Sequence, residues 1–226
     1  MGDRRRPGLA PRAERLAVLA LALGLLLPGL AGCKLFEPAK PETPDTGVPV
    51  IIPDYSTIES CLHYMKVGIE AKAYGQAAYI GALADTTKFG VGFHATFDPE
   101  VWNSFTGSKP ADWNLDLETQ FFGVLIAKYP GAYTMEWNED VNHIDETNPE
   151  QTRAIWHRQY KIRTDLGSGE TALIAVGYAD LYFSRIGTRW VLTRWDDRVD
   201  PAVGFPPADD RQQTLGQRRL NFGAGG

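Results

Sequence analysis

The sequence is poor in the residues and motifs on which many enzymes depend. Its two cysteines, Cys33 and Cys61, are too few for a disulfide framework and form no paired-cysteine metal motif. There is no glycine-rich phosphate loop and no Gly-x-Ser-x-Gly nucleophile turn. No internal repeat is visible. The chain therefore lacks the local signatures of common phosphate-transfer and serine-hydrolase chemistry.

The sequence also lacks an apolar run long enough to cross a bilayer. The run from Leu16 to Leu27 has twelve residues and is closed by Pro28, whereas a spanning helix needs about 20. Arginines precede this run and small residues follow it, which is typical of a secretory signal. A permanent membrane-spanning anchor is disfavoured by length. An ordinary cleaved signal, with Cys33 incidental, is the other alternative.

The residues after the run favour a more specific signal. Leu30-Ala31-Gly32-Cys33 resembles the lipobox of bacterial lipoprotein precursors. The resemblance implies a thioether-linked lipid on Cys33, cleavage before it and acylation of the new N-terminus. It also implies that Lys34, in place of aspartate, permits transport to the outer membrane of a Gram-negative envelope, on its periplasmic face. With Cys33 lipidated, Cys61 would have no disulfide partner.

Negative charge exceeds positive charge in the predicted mature chain. The whole sequence has a formal charge of −5, and residues 1–32 hold five arginines and two acidic residues, so their removal would leave −8. This charge argues against a nucleic-acid partner and against broad electrostatic adhesion to anionic lipid.

Composition divides the chain into four segments. Residues 1–32 are the predicted signal peptide, 33–53 the lipidated cysteine and a proline-rich tether, 54–200 a folded domain and 201–226 a mostly irregular tail. Five prolines lie between positions 38 and 53. Because proline-rich chain extends about 3.1 Å per residue, the tether could hold the domain up to ~60 Å from a membrane.

Helical periodicity predicts three helices in the first half of the domain. The first is capped by Asp54 or Ser56, and its apolar face is formed by Ile58, Cys61, Leu62, Met65 and Ile69. We interpret Cys61 as a small buried apolar side chain. A shorter helix ends near Leu83. The third runs from Asn114 to about Lys128, with an apolar face formed by Leu117, Phe121, Val124 and Leu125.

Alternating apolar residues predict strands elsewhere in the domain. One is Phe89–Phe97, and the others are Tyr133–Trp137, Trp156–Arg163, Thr171–Arg185 and Arg189–Trp195. Small residues within the long fourth strand predict a bend or bulge. Asp196, Asp197 and Asp200 are expected to end the last strand and to pair with Arg194 or Arg198. Grouped helices followed by consecutive strands predict an α+β class, with a strongly curved antiparallel sheet over the helices.

This order resembles the nuclear transport factor 2-like superfamily, which includes SnoaL-like proteins and has a cone-shaped, cystatin-like α+β roll. The paired opening helices, the strand Phe89–Phe97 and the ending from Gly187 to Asp197 carry the resemblance. The superfamily contains isomerases, dehydratases, cyclases and many non-catalytic binding domains. The resemblance therefore implies a fold without choosing a function.

In that superfamily the usual pocket lies inside the cone, where the enzymes place Asp, His or Tyr. The corresponding candidates here are Asp180, His94 and Tyr178, followed by Tyr160 and Tyr79. By strand alternation Asp180 lies on the same partly apolar face as Val176, Tyr178 and Tyr182. A surface aspartate in a salt bridge is the alternative interpretation of this position. His94 faces solvent if the neighbouring phenylalanines face the core. No local motif allows the family's catalytic residues to be transferred.

Two functional hypotheses follow. The main one is a lipid-anchored envelope protein whose non-catalytic cone binds a small apolar ligand or an envelope protein. The alternative is a lyase- or isomerase-like enzyme with an acid or base inside the cone. A metal site in the loop Glu139–Glu146 is disfavoured because His143 is its only histidine, and His157 is expected on an exposed sheet face. We predict no metal and no cofactor.

Overall fold

The computed structural model describes residues 53–167 and 169–223. The predicted signal peptide, the predicted lipobox with Cys33 and the predicted tether up to residue 52 lie outside the described residues. Within the described ranges, no helix is both long enough and apolar enough to cross a membrane.

The described chain contains six α-helices and two short 3-10 helices. The α-helices are α1 Ile58–Glu70, α2 Gln76–Gly81, α3 Thr86–Phe89, α4 Pro99–Ser104, α5 Leu115–Ala127 and α6 Leu215–Gly223. The 3-10 helices are Lys72–Gly75 and Asp210–Gln212.

Seven strands form one sheet beside these helices. They are β1 His94–Thr96, β2 Trp113–Asn114, β3 Tyr133–Glu139, β4 Glu146–Thr147, β5 Arg153–Asp165, β6 Thr171–Ile186 and β7 Arg189–Arg198. The order is β2-β1-β7-β6-β5-β3, and β4 pairs with β5. All pairs are antiparallel except β1 with β7. The predicted α+β class, with a curved sheet over helices, is confirmed.

The sheet bends where its register shifts. Between β5 and β6 the shift lies at Ile162 and Arg163, and between β6 and β7 it lies at Tyr182 and Phe183. An extra residue at each shift increases the local twist. The first shift leaves Ile174 of β6 without a partner, as predicted for the long strand, whereas the second leaves Thr193 of β7 without one.

Helix α1 begins as predicted but has a different cap. Thr57 is the N-cap, and it exchanges hydrogen bonds of 3.1 Å with Ser60 in a capping box, whereas Asp54 and Ser56 precede it. All five residues of its predicted apolar face are buried. Cys61 is fully buried and has no disulfide partner among the described residues.

The strand predicted for Phe89–Phe97 is mostly wrong. Its first residue ends α3, which Asp85 caps and Gly90 terminates with φ 72°, and only His94–Thr96 forms β1. The capping groups stabilise a helical turn that the apolar alternation did not reveal. Phe93 and Ala95 are nevertheless buried, and His94 is exposed, so the predicted inner and outer faces are right at that point.

The interpretation of residues 201–226 as mostly irregular missed α6. Leu215 and Leu220 of this helix are buried in the domain, so the folded part extends beyond the predicted boundary at residue 200. The chain before α6 also lies along the edge of β6 beyond the end of β7, because Val176 of β6 donates its backbone N–H to the Gln213 carbonyl oxygen. Ile174 and Val176 are buried there.

Candidate functional site

The space between the helices and the sheet is filled, and a buried ion pair lies at its centre. Glu118 of α5 and Arg219 of α6 are both fully buried and make two hydrogen bonds of 2.8 Å. Tyr79 of α2 and Trp113 of β2 each donate to the Glu118 carboxylate at 2.7 Å. Four elements of the fold therefore meet at one carboxylate.

Electrostatics keeps this carboxylate ionised. Burial acts to raise the pKa of Glu118, but the Arg219 guanidinium and the hydrogen bonds from Tyr79 and Trp113 outweigh burial, so the pKa lies below its ordinary value. Burial and the Glu118 charge raise the pKa of Tyr79 well above its ordinary value. The pair therefore holds fixed, opposite charges rather than a group ready to exchange a proton.

A second buried network joins the sheet to the start of α6. Tyr160 donates to Asp197 at 2.6 Å and accepts from the Leu215 backbone N–H at 2.8 Å. Gly216 donates to the other oxygen of Asp197 at 2.9 Å. Burial raises the pKa of Asp197, although Arg219 and these hydrogen bonds act in the opposite direction.

Aromatic rings occupy the remaining space around Arg219. Its guanidinium lies 4.7 Å from the centre of the Trp195 ring and 5.7 Å from that of Phe121. Of five well-formed clefts on the described part of the chain, none is lined by Glu118, Arg219 or Asp197. The described interior therefore packs side chains and backbone of α6 where an open cone would hold a ligand.

Three of the five sequence candidates, Asp180, Tyr178 and His94, lie on the opposite, outer face of the sheet, whereas Tyr79 and Tyr160 belong to the buried networks described above. Asp180 is paired with His157 across β5 and β6, and Tyr178 is paired with Gln159 in the same two strands. His94 is on β1, beside Arg194 of β7. Since alternate residues of a strand point to opposite faces, none of the three faces the interior that contains Tyr160.

Asp180 belongs to a cluster of polar side chains. It accepts from His157 Nδ1 and from Arg198, both at 2.7 Å. Arg198 also donates to Asp140 at 3.1 Å, and Asp140 in turn contacts His143 Nδ1 at 2.7 Å. Arg198 thus bridges the two carboxylates of the cluster.

The expectation that His157 lies on an exposed sheet face is wrong. Its side chain is only 12% exposed, because the loop that begins at Asp140 folds back over β5. Within residues 53–167 and 169–223, no three His, Cys, Asp or Glu side chains are arranged to hold a metal ion. The cluster brings together residues far apart in sequence, but it lines none of the five clefts.

His94 lies apart from that cluster. Its Nδ1 is 2.8 Å from Asp112, and both side chains are about half exposed. The pair lines two clefts of about 290 Å³ each, one with Phe97 and Trp102, the other with Asp85. Tyr178 is half-buried, and burial followed by nearby carboxylates raises its pKa.

The sequence interpretation included Tyr79 and Tyr160 among its candidates, but not the charged residues Glu118 and Arg219 at the centre of the interior. Glu118 was overlooked, although Phe121, Phe122 and Leu125 at i+3, i+4 and i+7 place it on the apolar face of α5, and all three are buried. The predicted face wrongly included Val124, which is 52% exposed. A charged residue within an apolar face was the available signal of a buried partner.

Asp197 was expected to pair with an arginine at the end of the strand. It is instead buried and bonded to Tyr160, whereas its neighbour Asp196 pairs with Arg194 as predicted. Strand alternation separates the two, since Asp197 points inward and Asp196 outward. Asp200 is also buried and accepts from Gln159 at 2.9 Å.

The largest of the five clefts lies where the chain enters the domain. It measures about 490 Å³ and extends from Pro53 to the start of β7. Its apolar lining is formed by Tyr55, Ile80, Leu83, Phe89 and Leu115. The charged residues in it are Asp85, Lys88 and Arg189.

A comparison with protein-family models finds no match, and no curated protein matches the chain. Solved structures with a related fold include a protein of unknown function from Mycobacterium tuberculosis, 11% identical, covering 74% of this chain and 86% of that one at a TM-score of 0.48. A proposed scytalone dehydratase from Novosphingobium aromaticivorans is 9% identical, covering 63% and 81% at a TM-score of 0.46.

A nuclear transport factor 2-like protein of unknown function from Pseudomonas putida is 10% identical, covering 64% of this chain and 84% of its own at a TM-score of 0.44. These likenesses concern the fold alone. Any function for this chain has to be argued from its own residues.

Proposed function

We propose that this protein is a lipid-anchored envelope protein whose cone-shaped domain binds a ligand or a protein partner at its surface and catalyses no reaction. The observation that carries the proposal is the filled interior, where Glu118 and Arg219 are fully buried against each other. A lyase or isomerase of the predicted kind would need an open interior with a group free to exchange a proton.

Anchoring is supported by sequence. The lipobox ends at Cys33, and the proline-rich chain after it can act as a spacer. Several acyl chains would give stable membrane attachment, because each buried methylene contributes about 0.8 kcal/mol and one chain is only marginal. In a Gram-negative envelope we place the protein on the periplasmic face of the outer membrane.

The chain offers a matched control for the anchoring test, since it contains two cysteines. The protein is expressed in a Gram-negative host fed an alkyne-labelled fatty acid, and membrane and soluble fractions are compared. We expect wild type and Cys61→Ser to carry the label and to sediment with membranes. Cys33→Ser should lose both. Membrane association and labelling that persist in Cys33→Ser would refute the anchor.

Hydrogen exchange tests the closed interior separately. The backbone N–H groups of Leu215 and Gly216 donate to buried side chains, whereas that of Gly167 donates to an exposed aspartate. We expect the first two amides to exchange orders of magnitude more slowly than the third. Exchange of all three at similar rates would mean that α6 opens readily, and the enzyme alternative would then regain support.

A further inference from the structure

The cleft between Pro53 and β7 contains a cation that lacks a counter-ion. Arg189 stacks on Tyr55, with its guanidinium carbon 4.0 Å from the ring centre, and lies 5.4 Å from the centre of Phe89. Its Nη2 donates to the Gly81 carbonyl oxygen. Its Nε is buried without a hydrogen-bond partner, and Arg189 makes no ion pair with any described residue.

The fold holds Arg189 in this position. The residue begins β7, directly after the hairpin turn at Gly187. The next backbone N–H, that of Trp190, donates to the Tyr55 carbonyl at 2.8 Å and ties the start of the domain to β7. Arginine stacked on an aromatic ring keeps a planar set of donors, which suits a carboxylate or a phosphate.

The other charges of the cleft leave it cationic. Lys88 pairs with Asp85 at 2.9 Å and is 71% exposed at the rim. Asp85 is the one acidic residue of the lining, and its pKa is lowered to about 2 by hydrogen bonds from Thr87 and Lys88. One carboxylate against two cations leaves a net charge of +1, in a mature chain predicted to carry −8.

The rest of the lining is apolar, as listed above for this cleft. At about 490 Å³ the cleft falls within the ~300–1,000 Å³ range of small-molecule sites. A cleft with an apolar lining and one unpaired guanidinium is complementary to a molecule that has an apolar body and an anionic head group.

We propose that this cleft binds a single-chain amphiphile with a carboxylate or phosphate head group, which contacts Arg189 while its chain lies along the aromatic and aliphatic lining. The inference deepens the proposed function by naming a ligand class. The cleft is lined in part by Pro53, where the predicted tether joins the domain.

Binding is measured on the mature chain carrying Cys33→Ser, so that neither lipidation nor anchoring enters the result. Calorimetry measures the binding of two probes, decanoate and decyl phosphate. Each probe is used at concentrations below those at which it forms micelles. Decylammonium tests the charge of the head group, and inorganic phosphate tests the head group alone. We expect saturable one-site binding of both anions, at least about tenfold weaker binding of decylammonium and none of inorganic phosphate.

Arg189→Gln should weaken binding of the anions by about tenfold to a hundredfold, as expected for the loss of a charge-assisted hydrogen bond. The matched control is Arg185→Gln, which removes the same charge from an exposed position of the same hairpin. Thermal melts check that both variants fold. If Arg189→Gln fails to fold, Lys88→Gln at the rim should still weaken binding about twofold to fivefold.

Two further arms identify the source of the amphiphile. Arg189-dependent binding to phosphatidylglycerol vesicles, but not to phosphatidylcholine vesicles, supports a bilayer lipid. Binding of the free probes without vesicle binding supports a soluble amphiphile. Replacing Val50, Ile51 and Ile52 by serine tests the chain's own apolar segment as the occupant.

Three results would overturn the proposal: no saturable binding of the anions, equal binding of decylammonium, or equal effects of the two arginine substitutions. Binding that appears only in the serine variant would assign the cleft to the chain itself and would also overturn it. Each of these results leaves the labelling test of Cys33 unaffected, so the two proposals fail independently.

Discussion

Replacing Arg219 by methionine should destabilise the domain more than most single substitutions do. The change keeps an apolar chain of similar length and removes both 2.8 Å bonds to Glu118. Breaking a fully buried ion pair from one side typically destabilises a protein by about 3–5 kcal/mol, because an uncompensated charge remains. Since domains are stable by only about 5–15 kcal/mol, the loss is large but compatible with a folded variant.

The loss of folding stability caused by Arg219→Met should increase as the pH rises. In wild type the folded pKa of Glu118 is lowered, so the stability from this group is present above the unfolded pKa of about 4.3 and is lost as pH falls through the folded pKa. Without Arg219, burial dominates and raises the folded pKa. The contribution of Glu118 is then present below about pH 4.3 and is lost as pH rises through the raised pKa. The deficit of Arg219→Met should therefore grow from acid to neutral pH.

Urea unfolding followed by tryptophan fluorescence at pH 4.5 and pH 7 measures both effects. The double variant Glu118→Gln/Arg219→Met removes both charges and keeps one acceptor oxygen for the buried donors, so it should recover about 2 kcal/mol or more at pH 7. Arg163→Met, which breaks a partly exposed pair with Glu136, should change stability by about 1 kcal/mol or less. A loss for Arg219→Met no larger than that of Arg163→Met, or one independent of pH, would refute the reasoning.

Two further predictions concern buried groups. Burial, opposed by Arg189, raises the pKa of Cys61 to about 12, so the thiol should resist iodoacetamide at pH 8 until urea unfolds the chain. Modification of the native chain at the rate of the unfolded chain would contradict this. A Cβ at Gly216 would lie 2.5 Å from the Asp197 carboxylate, so Gly216→Ala should lower the free energy of unfolding by about 1–3 kcal/mol. Gly223→Ala in the same helix, where the Cβ would be 3.8 Å from Trp113, should change it little, and equal effects in the two variants would argue against the clash.

Periodic patterns in the sequence were sufficient for much of the architecture. Five apolar positions on one face of α1 predicted its buried side, because a 3.6-residue repeat leaves one face for the core. Alternation predicted β5, β6 and β7 for the corresponding reason. Local capping was harder to predict, since Asp85 and Gly90 turned the start of a predicted strand into α3.

The candidate sites depended on contacts that no local pattern contains. Glu118 and Arg219 are separated by 101 positions and Tyr160 and Asp197 by 37. Strand parity placed Asp180 and Tyr178 together on one face, but it could not show that α6 fills the opposite side. Arg189 gains its place in a cleft only because β7, Tyr55 and Phe89 converge in space.

The sequence by itself determined the predicted export signal, the acidic charge, the order of most helices and strands and the faces that turn inward, because these follow from composition and from repeats a few residues long. Only the tertiary structure decided that the cone is closed, that its centre is an ion pair and that an unpaired arginine lies beside the entry of the chain. These features arise where distant segments meet, and their energies depend on burial and on partners that proximity along the chain does not specify.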